Sequence, residues 1–300
     1  LSTGLVGDIR IGFALPSLVA GAATLGLSVD LIRRLHGRHT AFIAGLWLLA
    51  SVQFILQART AQIDMLVTAF ILLGSWGLLR HALLNDGVRY FYLGCFAMGL
   101  GILTKGVGFL PLLMLPFWLM AARHASTWRS SGRRAGQLTS RELLIGLCWM
   151  LAAPLLWVGP MLVMSFVSGD SELAAYRDNI LLKQTAERYT DSWHHLKPWH
   201  YFLTSVIPWA WMPLLLTLPS WPKALARRFS RRDLRVWLPL VGAALMVVFF
   251  SLSPGKRGVY ILPALPLLVI GLAPMLPGLS RKPHVSWLGF ALCAGLAGIF

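Results

Sequence analysis

The sequence is short of charge, and of negative charge most of all. Only 13% of its 300 residues are charged, with 11 Asp and Glu against 27 Lys and Arg. A soluble domain of this length carries about a quarter charged residues, so an ordinary water-facing globule is excluded. Cysteine is equally scarce. Cys95, Cys148 and Cys293 all fall inside apolar stretches and read as small buried hydrophobes, which leaves no disulfide framework or cysteine metal site. No internal repeat of about 20–50 residues is evident, so a solenoid is not expected. Neither Thr104-Lys105-Gly106 nor Pro254-Gly255-Lys256-Arg257 is a phosphate-binding P-loop, because the glycine spacing before and the Ser or Thr after are missing.

What the chain has in quantity is hydrophobic residues, 57% of the total. They come in long runs such as Ile43 to Ile55, Met65 to Leu79 and Val236 to Leu252. A helix of about 20 mainly apolar residues crosses the hydrocarbon core. On that basis some ten spans are expected, near residues 11–32, 41–57, 63–80, 90–104, 106–122, 142–168, 200–220, 235–252, 258–276 and 286–300. In lipid the backbone must satisfy its own hydrogen bonds, and these continuous runs do so as helices. The expected fold class is an all-α, polytopic transmembrane helix bundle.

The net charge of +16 would suit a nucleic-acid partner, but its placement does not. The cations cluster in alternate connections: Arg33, Arg34 and Arg38; Arg80 and Arg89; Arg123 to Arg141; Lys223 to Arg235; Arg281 and Lys282. In a ten-span arrangement all of these lie on one side, which the positive-inside rule assigns to the cytoplasm. A nucleic-acid surface has no reason to follow membrane alternation, and none is expected. The other side carries mixed charge, with Arg10, Arg59, Lys105, Lys197, Lys256 and Arg257 among its cations and Asp8, Asp64, Asp170 and Glu187 among its acids. Its longest loop, residues 169–199, is rich in aromatics and His, and short interfacial helices are expected there. The chain starts at Leu1 and stops at Phe300 within an apolar run. The expectation is a membrane domain over 1–300 truncated at both ends, with a span and an outer loop upstream.

Four segments of the outer face could carry chemistry. In Arg59-Thr60-Ala61-Gln62-Ile63-Asp64-Met65, Asp64 enters an apolar helix, where a carboxylate needs a cavity, a partner or a helix N-terminus to cap. Lys105 stands between apolar stretches in Leu103-Thr104-Lys105-Gly106, with Gly106 and Gly108 permitting a tight turn. It either snorkels to the interface or faces an anion. Gln184 to Tyr189 continues into Trp193-His194-His195-Leu196-Lys197-Pro198-Trp199, where Arg188 offers a planar fork for phosphate. His194 and His195 are candidates for a divalent metal, although adjacent positions do not share a helix face. Ser253-Pro254-Gly255-Lys256-Arg257-Gly258-Val259-Tyr260 is a compact cationic turn suited to a ligand phosphate or to lipid headgroups.

Taken together, Arg59 with Asp64-Met65, Leu103 to Gly106, Gln184 to Trp199 and Ser253 to Pro263 resemble the GT-C membrane glycosyltransferases. The closest group holds the lipid A aminoarabinose transferases and the dolichyl-phosphate-mannose protein mannosyltransferases. The resemblance implies transfer of a sugar from a polyprenyl-phosphate carrier to a lipid or protein acceptor, at the periplasmic face of a bacterial inner membrane. It implies Asp64, Lys105 and Arg188 as catalytic residues, with Lys105 and Arg188 on the carrier phosphate and Lys256 as a helper. Arg59, Tyr189, His194, His195, Arg257 and Tyr260 are then further substrate-binding candidates. The acidic residues that the family carries on its first outer loop would precede Leu1. The competing readings are a secondary transporter or lipid-linked-sugar flippase, which would place paired interrupted helices near the midplane, and a structural assembly factor.

Overall fold

A computed structural model describes residues 9–123, 138–168, 171–179, 196–283, 285 and 287 of the chain. The described residues form helices, arranged as an all-α bundle, as composition requires. In chain order the α-helices are α1 (Ile9–His36), α2 (Arg38–Ala50), α3 (Val52–Arg59), α4 (Ile63–Leu79), α5 (Val88–Lys105), α6 (Leu115–Arg123), α7 (Ser140–Val167), α8 (Ser171–Asp178), α9 (Ile207–Ala210), α10 (Trp221–Ser230), α11 (Leu234–Leu252), α12 (Ala264–Leu272) and α13 (Leu276–Ser280). Short 3-10 turns at Leu110–Met114, Leu214–Ser220 and Gly258–Ile261 connect several of them.

Four helices are long and apolar enough to cross a membrane unbroken: Gly12–His36, Ile63–Leu84, Ser140–Val167 and Leu234–Leu252. Two further spans are bent, by 68° between α2 and α3 and by 112° between Phe202–Ala210 and Leu214–Arg228, which makes up to six. The ten continuous spans expected from hydropathy are therefore not reproduced among the described residues, and the span expected at 286–300 lies almost wholly outside them. The reason is local. Hydropathy does not register that Ser51 leaves the helix, with its hydroxyl on the Trp47 carbonyl and with the Val52 amide on the carbonyl of Met212, 2.9 Å away. A neighbouring chain segment thus satisfies the amide that the break exposes.

α1 and α4 run in the same direction. The Ser17 hydroxyl near one end of α1 donates to the Gln62 carbonyl that precedes α4. Near the other end Trp76 Nε1 of α4 donates to Asp30 of α1. α5 returns antiparallel to α4 with glycines at the crossing. A Cβ built on Gly77 would lie 2.2 Å from the Tyr90 carbonyl oxygen, and one on Gly94 would lie 2.8 Å from that of Gly74. Small residues let these backbones touch, which is how helices associate where lipid removes the hydrophobic incentive. α7 packs on α5 through Gly99 and Gly146 and exposes Leu144, Leu155, Leu156 and Phe166. Its capping box, Thr139 with Glu142, fixes the basic-pole end. Cys95 is buried and Cys148 exposed on this helix pair; Cys293 lies outside the described residues.

The bundle therefore has two poles. At the basic pole Asp30 binds Arg33 and Arg34. Arg80 pairs with Asp86 and stacks 3.7 Å from the centre of the Tyr90 ring. Asp233 caps α11 and binds Arg228 and Arg235. Burial penalises the Asp233 carboxylate, but hydrogen bonds and charge from Arg235, with Arg228, outweigh that and hold its pKa below the usual carboxylate value.

Candidate active site

At the opposite pole three elements converge. α4 begins there and carries Asp64 in its first turn. α5 ends there with Lys105 in its last turn. The Gly258–Ile261 turn brings Tyr260. Asp64 and Lys105 each sit where a helix dipole favours their charge, and they form an ion pair and hydrogen bond with one another. The Lys105 ammonium lies 4.7 Å from the centre of the Tyr260 ring, close enough for cation–π attraction. Tyr260 is held in turn against Phe250 of α11, with ring centres 5.5 Å apart.

The pair is not sealed. The Asp64 side chain is 11% exposed and that of Lys105 23%. An ammonium has three donors. One serves Asp64 and one face rests on Tyr260, so among the described residues a donor remains for an anion on the open side. The capping alternative for Asp64 is not what the structure shows: Gln62 is the N-cap residue, without a side-chain bond, and the carboxylate turns to Lys105 instead. The tight turn expected after Lys105 is present. Gly106 adopts the left-handed conformation at φ 77°, with its amide on the Ile102 carbonyl at 2.7 Å. Gly108 then lies against the backbone of α5, where an added Cβ would sit 2.2 Å from the Met98 oxygen.

The other sequence candidates divide into three groups. Arg59, at the end of α3, and Arg257 are exposed at the same pole. Lys256 is buried to 4% exposure, and its ammonium donates to the Ser253 carbonyl and, at 2.9 Å, to that of Lys197. It thereby ties the turn to the segment from Leu196, whose backbone bridges Gly255. Arg188, Tyr189, His194 and His195 lie outside the described residues. Of the loop at 169–199, the expected short helix is seen at Ser171–Asp178, where Arg177 holds the Asp178 carboxyl below its ordinary pKa. Among the described residues no group of three or more His, Cys, Asp or Glu is placed to hold a metal.

Sequence reading missed Gln53. It is 3% exposed and spans two elements: its amide donates to the Gly258 carbonyl at 2.9 Å, and its oxygen accepts from Trp211 Nε1 at 2.9 Å. A buried amide inside an apolar run was the available signal. Gln53→Leu should orphan both partners, each at about 1–3 kcal/mol, and loosen the turn that carries Tyr260. Thermal unfolding in detergent should show a clear drop in the midpoint for the leucine variant. An unchanged midpoint for the leucine variant would dismiss this anchoring role.

Comparison with known proteins gives a consistent set of likenesses. A sequence model of the dolichyl-phosphate-mannose-protein mannosyltransferase family matches residues 1–157. The chain is 29% identical over 279 residues, 88% of its length, to an undecaprenyl phosphate-α-4-amino-4-deoxy-L-arabinose arabinosyl transferase of Pseudomonas aeruginosa, and covers 46% of that protein. A like-named transferase of Pseudomonas fluorescens is 28% identical over 276 residues. Among solved structures, that of ArnT from Cupriavidus metallidurans bound to undecaprenyl phosphate superposes with a TM-score of 0.74 at 25% identity, over 98% of this chain and 51% of that one. The chain thus spans about half the length of the relatives it matches.

Proposed function

The chain belongs to the dolichyl-phosphate-mannose-protein mannosyltransferase family, and from that premise we propose that it is the membrane part of a GT-C glycosyltransferase using a polyprenyl-phosphate-linked sugar. The observation that carries the reading is the Asp64–Lys105–Tyr260 cluster, a half-open cation at the pole of the bundle opposite the basic one. The names of the similar transferases and the undecaprenyl phosphate bound by the similar structure support a polyprenyl-phosphate donor carrying an amino sugar; the family resemblance in the sequence makes lipid A the first acceptor to try.

In the proposed reaction a nucleophile of the acceptor attacks the anomeric carbon of the donor sugar. The bond from that carbon to the phosphate oxygen breaks, its electron pair stays on the oxygen, and configuration inverts. The carrier leaves as a polyprenyl phosphate. Lys105 faces the charge that grows on the departing phosphate, where a unit pair about 4 Å apart contributes roughly 4 kcal/mol at an effective dielectric near 20. Preorganisation by Asp64 and Tyr260 means that the ammonium need not be repositioned as the charge forms. The family resemblance assigns Arg188, whose planar guanidinium suits phosphate, to the carrier phosphate and Tyr189 to substrate binding. Lys256 keeps the cationic turn folded so that Arg257 reaches the headgroup level, and Arg59 borders the same surface. The resemblance assigns His194 and His195 to substrate binding, with a divalent metal as the alternative ligand. The proton of the acceptor passes to a base outside this set.

The positive-inside rule assigns the basic pole to the cytoplasm, which supports a cluster on the periplasmic side of a bacterial inner membrane. Charge gathered at one boundary favours transfer over transport, since a transporter keeps its site near the midplane. The test is incubation of membranes holding the full-length protein with labelled polyprenyl-phosphate sugars and candidate acceptors. Label should pass to the acceptor with release of polyprenyl phosphate. Intact donor crossing a sealed vesicle without release of carrier phosphate would establish a flippase instead.

A further inference from the structure

The basic pole carries a groove that sugar transfer at the opposite pole does not use. It encloses about 440 Å³ between α10 and the chain around α13. From the α10 side Ser220, Lys223, Ala224, Arg227, Arg228 and Arg231 line it. Lys223, Ala224, Arg227 and Arg228 share one face of α10, and Ser220 and Arg231 flank it on either side. From the other side come Pro274, Met275, Leu279 and Lys282. The result is a cationic rim over an apolar floor.

Orientation alone accounts for basic residues at this pole, but not for five of them bordering one concavity. No carboxylate lines the groove; Asp30 is engaged with Arg33 and Arg34, Asp86 with Arg80 and Glu142 in the Thr139 cap, and Asp233 with Arg235 and with Arg228, itself one of the groove cations. Lys282 donates to Ser220 across the groove at 2.7 Å. Lys223, Arg227 and Arg231 are exposed, and among the described residues none of them takes part in a salt bridge. Lys223 and Arg227 stand four apart on α10 and Arg231 follows in the turn just after it, so three like charges border one opening, and an anion among them would relieve their mutual repulsion. Charge selects an anion, and the apolar floor selects one with a hydrocarbon part. Basic pockets between membrane helices hold lipid headgroups on these terms.

We propose that this groove binds an anionic phospholipid, its phosphodiester among Lys223, Arg227 and Arg231 and one acyl chain along Met275 and Leu279. The full-length protein in detergent, titrated with phosphatidylglycerol and with phosphatidylcholine and followed by native mass spectrometry, should retain one phosphatidylglycerol preferentially. The triple variant Lys223→Gln, Arg227→Gln, Arg231→Gln should bind it about 100-fold more weakly. The triple Arg38→Gln, Arg89→Gln, Arg141→Gln removes the same charge from exposed positions outside the groove and should stay within about two-fold of the parent. If the groove triple does not fold, Arg227→Gln alone, weakened about five-fold, carries the test. Equal weakening by both triples, no preference over phosphatidylcholine, or displacement of the lipid by millimolar inorganic phosphate or by a co-purifying acidic protein would each overturn the assignment.

Discussion

Lys105→Ala should lower the proposed sugar transfer by the full-length protein about 100-fold, the loss typical of removing one preorganised charge-stabilising group. It also removes the partner of Asp64, whose side chain is only 11% exposed. Breaking a largely buried pair on one side costs about 3–5 kcal/mol, because the remaining charge is left without compensation. A fall in activity alone would therefore not separate chemistry from folding. The paired replacement Asp64→Leu with Lys105→Met does. Exchanging both charges for apolar groups of similar volume is often neutral for stability, so the double variant should regain the parent's unfolding midpoint and membrane abundance while transfer stays about 100-fold down. Near-normal transfer by the double variant would remove Lys105 from the reaction and leave the pair a structural role.

Gly108→Ala should have the next largest effect, on the fold and the site together. The Cβ it adds would lie 2.2 Å from the Met98 oxygen and 2.3 Å from the Ile102 nitrogen. Both are backbone atoms of α5, so neither can swing aside as a side-chain tip would. Relief must come from lifting the chain after Lys105 or from opening the last turn of α5, and either displaces the ammonium from Asp64 and Tyr260. Overpacking costs about 1–3 kcal/mol or somewhat more, and a displacement of this kind can lower turnover about 100-fold. Gly26→Ala is the control, since no atom lies within 4 Å of the Cβ it adds, and Ala gains about 0.5–1 kcal/mol over Gly inside a helix. Matching unfolding midpoints for the two variants would show that the packing at Gly108 is looser than its geometry states.

Gln53, Lys256 and the bends show where sequence reading stops. Gln53 is an amide in an apolar run, and nothing local says that its partners are Gly258 and Trp211, 205 and 158 residues away. Lys256 reads as a cation offered to a ligand. Folded, it closes its own turn on the carbonyls of Ser253 and Lys197, because a buried ammonium without acceptors is too costly to keep. Hydropathy counts apolar residues but not helix direction, so the 68° and 112° bends were hidden inside runs of ordinary composition.

The sequence by itself determined that this is a helical membrane protein with a basic pole and a pole of mixed charge. Those properties follow from burial cost and charge placement, which are carried by each residue without reference to any other. It also raised Asp64 and Lys105 as candidates, with capping and snorkelling as their alternatives, and Tyr260 through the family resemblance. The tertiary structure decided that these three form one cluster. Asp64 and Lys105 are 41 residues apart in the chain, and they meet because the glycine-lined crossing of α4 and α5 sets the start of one helix beside the end of the other. The groove arose in the same way, from one cationic helix face laid against a distant apolar turn.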